Sequence, residues 1–293
     1  MLLTTPMSGA MRGIFWILLA TLLAASMNIV ARHVTASVDA FVVVFFRNLF
    51  GVIFLLPFLV RHGLLLLKTN RFGAHLARAS LNVVNMLCFF TAVAITPLAE
   101  LVALNFTAPI FAALLGMLIL KEIVGRQRWA AIFVGFSGVI VIIRPGFLEF
   151  SHGHFLTLFA AFTWAGVMLM TKSLARTESS LTIIAYMTIL LTPLSLIPAL
   201  FVWHWPSWED LGWLALMGTI GNSVHFIWAQ AVREADLSVV MPFDFTKLVW
   251  IALLAYLLFG EVPAWTTWGG GVLIFASGVF IAHREAFRRV QGI

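Results

Sequence analysis

Ten apolar stretches dominate this sequence, at 12–32, 40–60, 76–95, 98–120, 128–144, 154–174, 181–203, 211–232, 237–258 and 265–283. The hydrocarbon core of a bilayer is about 30 Å thick, and roughly 20 residues of helix cross it, so these lengths predict membrane spans. The links between them are too short to fold a soluble domain. Hydrocarbon offers no partner to a free peptide group, and the period-2 alternation of a lipid-facing barrel is absent, so the spans are helices. The expected fold is an all-α membrane protein with ten transmembrane helices and the lipid bilayer as its main partner. Composition agrees: 62% of residues are hydrophobic and 10% charged, against about 25% charged in a soluble domain.

The basic residues set the expected orientation. With the N terminus inside, Arg12, Arg61, Lys68, Arg71, Arg78, Lys121, Arg126, Arg128, Lys172, Arg176, Arg233, Arg284, Arg288 and Arg289 fall on the cytoplasmic side, fourteen of the eighteen Lys and Arg. Arg32 and Arg144 fall on the opposite side, and Arg47 and Lys247 fall inside helices. This predicts a multi-pass protein of the cell inner membrane with both termini cytoplasmic. The basic excess is distributed among links rather than gathered on a water-facing surface, which argues against a nucleic-acid partner. The single cysteine, Cys88, lies in an apolar run and excludes a disulfide framework or a thiolate cluster.

The chain also repeats itself. At an offset of 139 residues, Ala99 with Asn105-Phe106-Thr107 lies over Ser238 with Asp244-Phe245-Thr246, Glu122 over Glu261 and Trp129 over Trp268; at 140, Gly13 lies over Gly153, Ala20 over Ala160, Ala25 over Ala165 and Arg32 over Lys172. Each copy, 12–145 and 153–284, holds five helices. Five is odd, so the second copy enters the membrane upside down: the fold is two inverted five-helix repeats. That architecture points to a carrier with a site between the copies.

The run Thr96-Pro97-Leu98-Ala99-Glu100 through Phe106-Thr107-Ala108-Pro109, then Lys121-Glu122, Gly135-Phe136-Ser137-Gly138-Val139 and Arg144-Pro145-Gly146, resembles the EamA-type domain of the drug/metabolite transporter superfamily. Leu237-Ser238 and Gly260-Glu261 are a degenerate second copy of the same pattern. The resemblance covers the whole chain. It implies a transporter of small metabolites, and the ten-helix exporters of neutral and aromatic amino acids (YddG type) are the preferred comparison within it.

Polar residues inside the spans are the candidates for substrate binding, because charge at the bilayer centre costs about 2.5–3.5 kcal/mol and usually faces a cavity or a partner. Lys247 and Asp244 are three apart on one helix face and form either a self-neutralising pair or a substrate contact. Arg47 either reaches the interface along its stem or binds substrate. Asn82 and Asn85 share a face of the third span, Asn28 and Asn105 lie in the first and fourth, and Asn222 with His225 form the equivalent pair in the eighth. Each Asn alone suits interhelical bonding; together they suit one cavity. His225 with Asp244 is also a candidate for proton coupling. Trp164 and Tyr186, with Trp228 and Trp250, are deep enough to stack on a substrate, whereas Trp203, Trp205 and Trp208 read as an interfacial belt.

Pro97, Pro109 and Pro242 invite kinks. Small residues Ala131, Gly135 and Gly138 in the fifth span and Gly269-Gly270-Gly271, Ala276, Ser277 and Gly278 in the tenth suit close helix contact, within the monomer or in a homodimer through those two helices. No zinc pair, nucleophile elbow or phosphate loop is present, so neither catalysis nor a cofactor is expected. The functional expectation is a secondary transporter, an exporter of neutral or aromatic amino acids working by alternating access. The alternatives are another metabolite, such as a nucleotide derivative, vitamin or drug, or a channel. The charge asymmetry makes one direct prediction: cysteines replacing Lys68 and Ser207 in a Cys88→Ser background label from opposite sides, the second from outside. Labelling of both from one side overturns the helix count or the orientation.

Overall fold

The computed structural model describes residues 9–62, 68–120, 126–144, 151–235, 240 and 243–291, and every regular element among them is a helix. In chain order these are α1 (Gly9–Val34), α2 (Ala40–His62), α3 (Phe72–Ile95), α4 (Leu98–Asn105), α5 (Ala108–Leu120), α6 (Arg126–Ile143), α7 (His152–Leu174), α8 (Ser180–Phe201), α9 (Trp208–Glu234), α10 (Thr246–Phe259) and α11 (Trp265–Gln291). α4 and α5 are halves of one crossing, so the count is ten crossings in two inverted sets of five. An even number returns the chain to the end it started from. We call that end proximal and the opposite end distal. Pro242, Lys121-Glu122, Pro145-Gly146 and Leu237-Ser238 lie outside the described residues.

The fourth span departs from the single helix expected at 98–120, and Pro109 supplies the reason. Proline has no amide hydrogen for the Asn105 carbonyl, and its ring crowds that carbonyl. The chain therefore stops the helix at Asn105. Thr107 bridges the break: its amide and hydroxyl both donate to Leu104 O, at 3.0 and 2.7 Å, and its carbonyl accepts from the amides of Ile110 and Phe111 to start α5. The ninth span breaks at the aligned position. Residues 243–244 are helical, Phe245 is a turn, and α10 begins at Thr246. The two breaks meet, with the Phe106 and Phe245 rings 5.9 Å apart and both packed on Phe275 at 5.6 and 4.7 Å.

The packing repeats itself about that meeting point. α1 lies along α9 as α7 lies along α3, while α2 meets α8, α4 meets α10 and α6 meets α11. Individual contacts follow the same rule. A Cβ added to Gly13 would overlap Ala235, and one added to Gly153 would overlap Thr96; both partners are 139 residues apart, as the repeat requires. Ser37 donates to Asp210 at 2.8 Å at the distal end, and its counterpart Thr177 accepts from Arg71 at 3.0 Å at the proximal end. The small faces of α6 and α11 are consumed by this packing: Ser277 donates to Ala131 O, and Gly138 sits against Gly270 and Ile274. Of the two contacts those faces suited, the structure makes the one inside the monomer through Ala131, Gly138, Gly270 and Ser277, while Gly269 and Ala276 stay exposed.

The distal ends of α1, α3, α4 and α10 are tied by one knot. Gly260, left-handed at φ 69°, ends α10 and turns the chain back. Glu261 then accepts from Arg32 at 2.6 Å with one oxygen and from the Leu98 amide, the first of α4, at 2.8 Å with the other. Arg32 also donates to the last carbonyls of α3, at Val93 and, at 3.2 Å, Thr96. Nearby, Glu100 pairs with His154 at 3.1 Å. Outside this knot the surface is apolar, with Phe133, Leu118 and Phe226 more than half exposed, and Trp205, Trp208 and Trp265 stand out at the distal rim. Trp203 differs from the belt expectation by packing inward on Phe45 and Phe46, 5.6 and 5.7 Å away.

The close approaches at Gly13 and Gly153 set an expected stability pattern. Gly13→Val and Gly153→Val each lose about 1–3 kcal/mol through overpacking, read as a lower melting temperature in detergent. Gly212→Ala, where an added Cβ meets nothing within 4 Å, does not. Unchanged melting of the two valine variants removes the symmetric contact.

Candidate functional site

A cavity of about 280 Å³ opens between the repeats. Asn28 of α1, Arg47 of α2, Asn82 and Asn85 of α3 and Asn105 at the end of α4 line it from the first repeat; Trp164 of α7, Asn222 and His225 of α9 and Lys247 of α10 line it from the second. The break after Asn105 and the break before α10 explain two of these positions. They leave helix ends at the cavity wall, where irregular backbone is tolerated because it does not face lipid. Lys247 sits in the first turn of α10, near a helix terminus whose dipole is already positive. The two add to one positive region.

Several wall amides are held in place by the neighbouring repeat. Asn85 donates to Ala160 O at 2.6 Å, and Asn222 donates to Gly51 O at 2.8 Å, which leaves each side-chain carbonyl available to accept. Arg47 donates to Asn48 at 3.2 Å, and Asn48 donates to Ser195 at 3.3 Å. The Arg47 guanidinium lies 5.9 Å over the Phe90 ring, and its Nε is buried without a hydrogen-bond partner. It does not reach the interface. Both side-chain atoms of Asn28 are likewise buried and unpartnered. Among the described residues, no carboxylate forms an ion pair with Arg47 or Lys247.

Two sequence candidates fall elsewhere. Asp244 is outside the cavity wall and near enough to Lys247 to affect it electrostatically, but the two do not close into the ion pair that their spacing suggested. Phe245 between them has right-handed helical dihedrals, φ −62° and ψ −22°, so the i, i+3 spacing holds and what is missing is the side-chain contact. Tyr186 also lies off the wall, stacked on His75 with ring centroids 4.5 Å apart and 24° between planes. Trp228 is 41% exposed on the outer surface, and Trp250 is not in the wall.

Other wall residues carried little signal in the sequence. Asn48, Met86, Phe89, Phe90, Met187, Thr188 and Leu191, with Met27, Gly51 and Gly218, complete the lining. Asn48 follows Arg47 directly and was readable as an intramembrane amide like the others. The apolar members had no mark to separate them from core. Among the described residues no cluster of His, Cys, Asp and Glu could hold a metal ion.

A cavity with unpaired cations and fixed amides, enclosed by two inverted repeats and reached by two broken helices, defines a membrane carrier. The chain belongs to the EamA-like transporter family, whose profile matches residues 11–144 and 151–282. It is 34% identical over 281 residues to a riboflavin transporter of Vibrio cholerae, with 94% of each chain covered. It is 30% identical over 275 residues to an S-adenosylmethionine uptake transporter of Rickettsia prowazekii, again covering 94% of each, and 32% identical over 284 residues to a riboflavin transporter of Rhizobium johnstonii, covering 96% of this chain and 94% of the other. A crystal structure with 16% identity superposes with a TM-score of 0.63 over 94% of this chain and 98% of that one, and so shares the fold. The chain is a multi-pass membrane transporter of a small metabolite.

The state of Lys247 has a measurable consequence. A charge held in the wall without an ion-pair partner is a cost to folding, so Lys247→Met leaves the melting temperature unchanged or raises it, by about 0.5–2 kcal/mol in stability. Had Lys247 been half of a buried pair, the same change would cost about 3–5 kcal/mol. Thermal unfolding in detergent separates the two signs.

Proposed function

We propose that this protein carries a neutral or anionic, ring-bearing metabolite of the riboflavin kind across the inner membrane, by alternating access of the cavity to the two sides. The observation that supports this best is the make-up of the wall. Asn28, Asn48, Asn82, Asn85, Asn105 and Asn222 offer amide donors and acceptors, which suit the many hydrogen-bonding edges of a polar heterocycle and a polyol chain. Phe89, Phe90 and Trp164 offer faces on which such a ring stacks. The names of the Vibrio and Rhizobium relatives agree with this reading.

Amino-acid export fits less well. An amino acid brings an ammonium group, and the wall supplies two cations and no carboxylate to receive it. The relatives are named for riboflavin and S-adenosylmethionine, which favours the alternative of a vitamin or nucleotide derivative. S-adenosylmethionine is a second reading because a relative over the same span carries that name, but its sulfonium and ammonium groups would be repelled by Arg47 and Lys247. The division of basic residues, thirteen in proximal links against Arg32 and Arg144 at the other end once Arg78 is set inside α3, supports cytoplasmic termini.

Binding to the purified full chain tests the proposal. Riboflavin is expected to bind saturably, with its own fluorescence quenched and a Kd of about 10 µM or tighter, and to undergo counterflow in proteoliposomes. S-adenosylmethionine and phenylalanine are expected to compete at least about tenfold more weakly. Counterflow of phenylalanine or S-adenosylmethionine without any of riboflavin overturns it.

A further inference from the structure

The buried cations are compensated unevenly along the membrane normal. At the distal end Arg32 is paired with Glu261, and Glu100 with His154. In the cavity and toward the proximal end, Arg47, Lys247 and Arg78 have no ion-pair partner among the described residues. The sequence reading put Arg78 in a proximal link. It lies instead two turns inside α3, 6% exposed. Its Nε donates to Thr171 at 2.6 Å, and an Nη lies 3.6 Å from the sulfur of Met187, which itself lines the cavity.

Arg78 is one step of a polar stripe. His75, Arg78, Asn82 and Asn85 recur at i, i+3 and i+4 on α3, which places them on one helix face running toward the cavity from the proximal end, where Arg71 is the residue before the helix. His75 is 2% exposed, with both ring nitrogens unpartnered. A merely structural stripe would have closed its own bonds, because an unpaired buried polar group costs free energy. This one leaves a guanidinium without a counter-charge and an imidazole without a bond.

We propose that this face of α3 is the passage between the cavity and the proximal surface, and that Arg78 with His75 is a second docking point in it for an anionic oxygen group of the cargo. The proposal rests on the carrier reading above but not on which metabolite is carried. A cargo leaving Arg47 would meet Arg78 next, through Met187, and then Arg71 at the surface. Successive cations of this kind draw an anion along a low-dielectric path without holding it at any single point.

Charge-selective labelling tests the passage without using transport. In a Cys88→Ser background, Met187→Cys is exposed from the proximal face of sealed vesicles to 2-sulfonatoethyl methanethiosulfonate or to its trimethylammonium counterpart. The anionic reagent is expected to react about tenfold faster. Arg78→Gln lowers that ratio about threefold or more, and Arg78→Lys preserves it. If Arg78→Gln does not fold, the ratio in the protein that retains Arg78 decides. Equal rates for the two reagents, or a cysteine that neither reaches from the proximal face, overturn the passage. Failure of riboflavin to bind while the labelling ratio holds overturns the cargo and leaves the passage standing.

Discussion

A peptide group without a partner cannot be left facing hydrocarbon, and the architecture follows from where this chain obeys that constraint and where it relaxes it. Ten crossings satisfy it by helix formation. The two interruptions, at 106–107 and at Phe245, occur where the halves of the molecule face each other and Phe106, Phe245 and Phe275 close over the breaks. Thr107 satisfies the Leu104 carbonyl, and Thr246 does the same for Phe243 in the second copy, donating to its O at 2.6 Å while its hydroxyl meets that of Thr21 at 2.9 Å. Helix ends are thereby brought to the interior of the membrane, the one location where a positive terminus and the side chains beside it can act on a cargo.

Duplication multiplies the consequence. Because the second copy is inverted, a contact at one end reappears at the other: Gly13 on Ala235 and Gly153 on Thr96, Ser37 with Asp210 and Thr177 with Arg71. The mirrored pairs are not chemically equal. Asp210 is anionic where Arg71 is cationic, so the two ends carry opposite charge in the same geometry. The distal knot of Arg32, Glu261 and the α4 amide adds a charged tie there. The two ends of the inverted pair are therefore electrostatically unequal although their packing is alike.

Much of this was legible in the sequence because the bilayer imposes a strong one-dimensional signal. Helix count and inversion follow from run lengths and an odd number per copy. Nine of the eleven candidate residues converge on one wall because a polar side chain in a span has few other places to go. What failed was phase and continuity. The fourth span was expected as one helix and Pro109 splits it; Asp244 keeps its spacing from Lys247, but spacing does not say whether a side chain reaches the wall or closes an ion pair. Tyr186 was placed by depth alone, but depth does not say which side of α8 it occupies, and its ring goes to His75. Arg78 was assigned to a link because positive charges normally mark one, yet α3 starts at Phe72 and carries it inside. Helices that are apolar all round give no stripe from which to read the buried face, so the apolar members of the wall stayed hidden.

Unmatched polar groups in the wall are a folding cost that ligand binding can offset. Arg47 keeps a buried Nε without a partner, and Asn28 keeps both amide atoms unmatched. A ligand that bonds to them recovers that loss, about 1.5–3 kcal/mol for a hydrogen bond to the charged Arg47 and about 0.5–1.5 kcal/mol for one to the neutral Asn28 amide. A carrier must also release its cargo, which sets an upper limit on how many such groups it can hold ready at one point. In the passage proposed above, cations spread over Arg47 and Arg78, rather than gathered into one tight site, would keep each step favourable enough to enter and weak enough to leave.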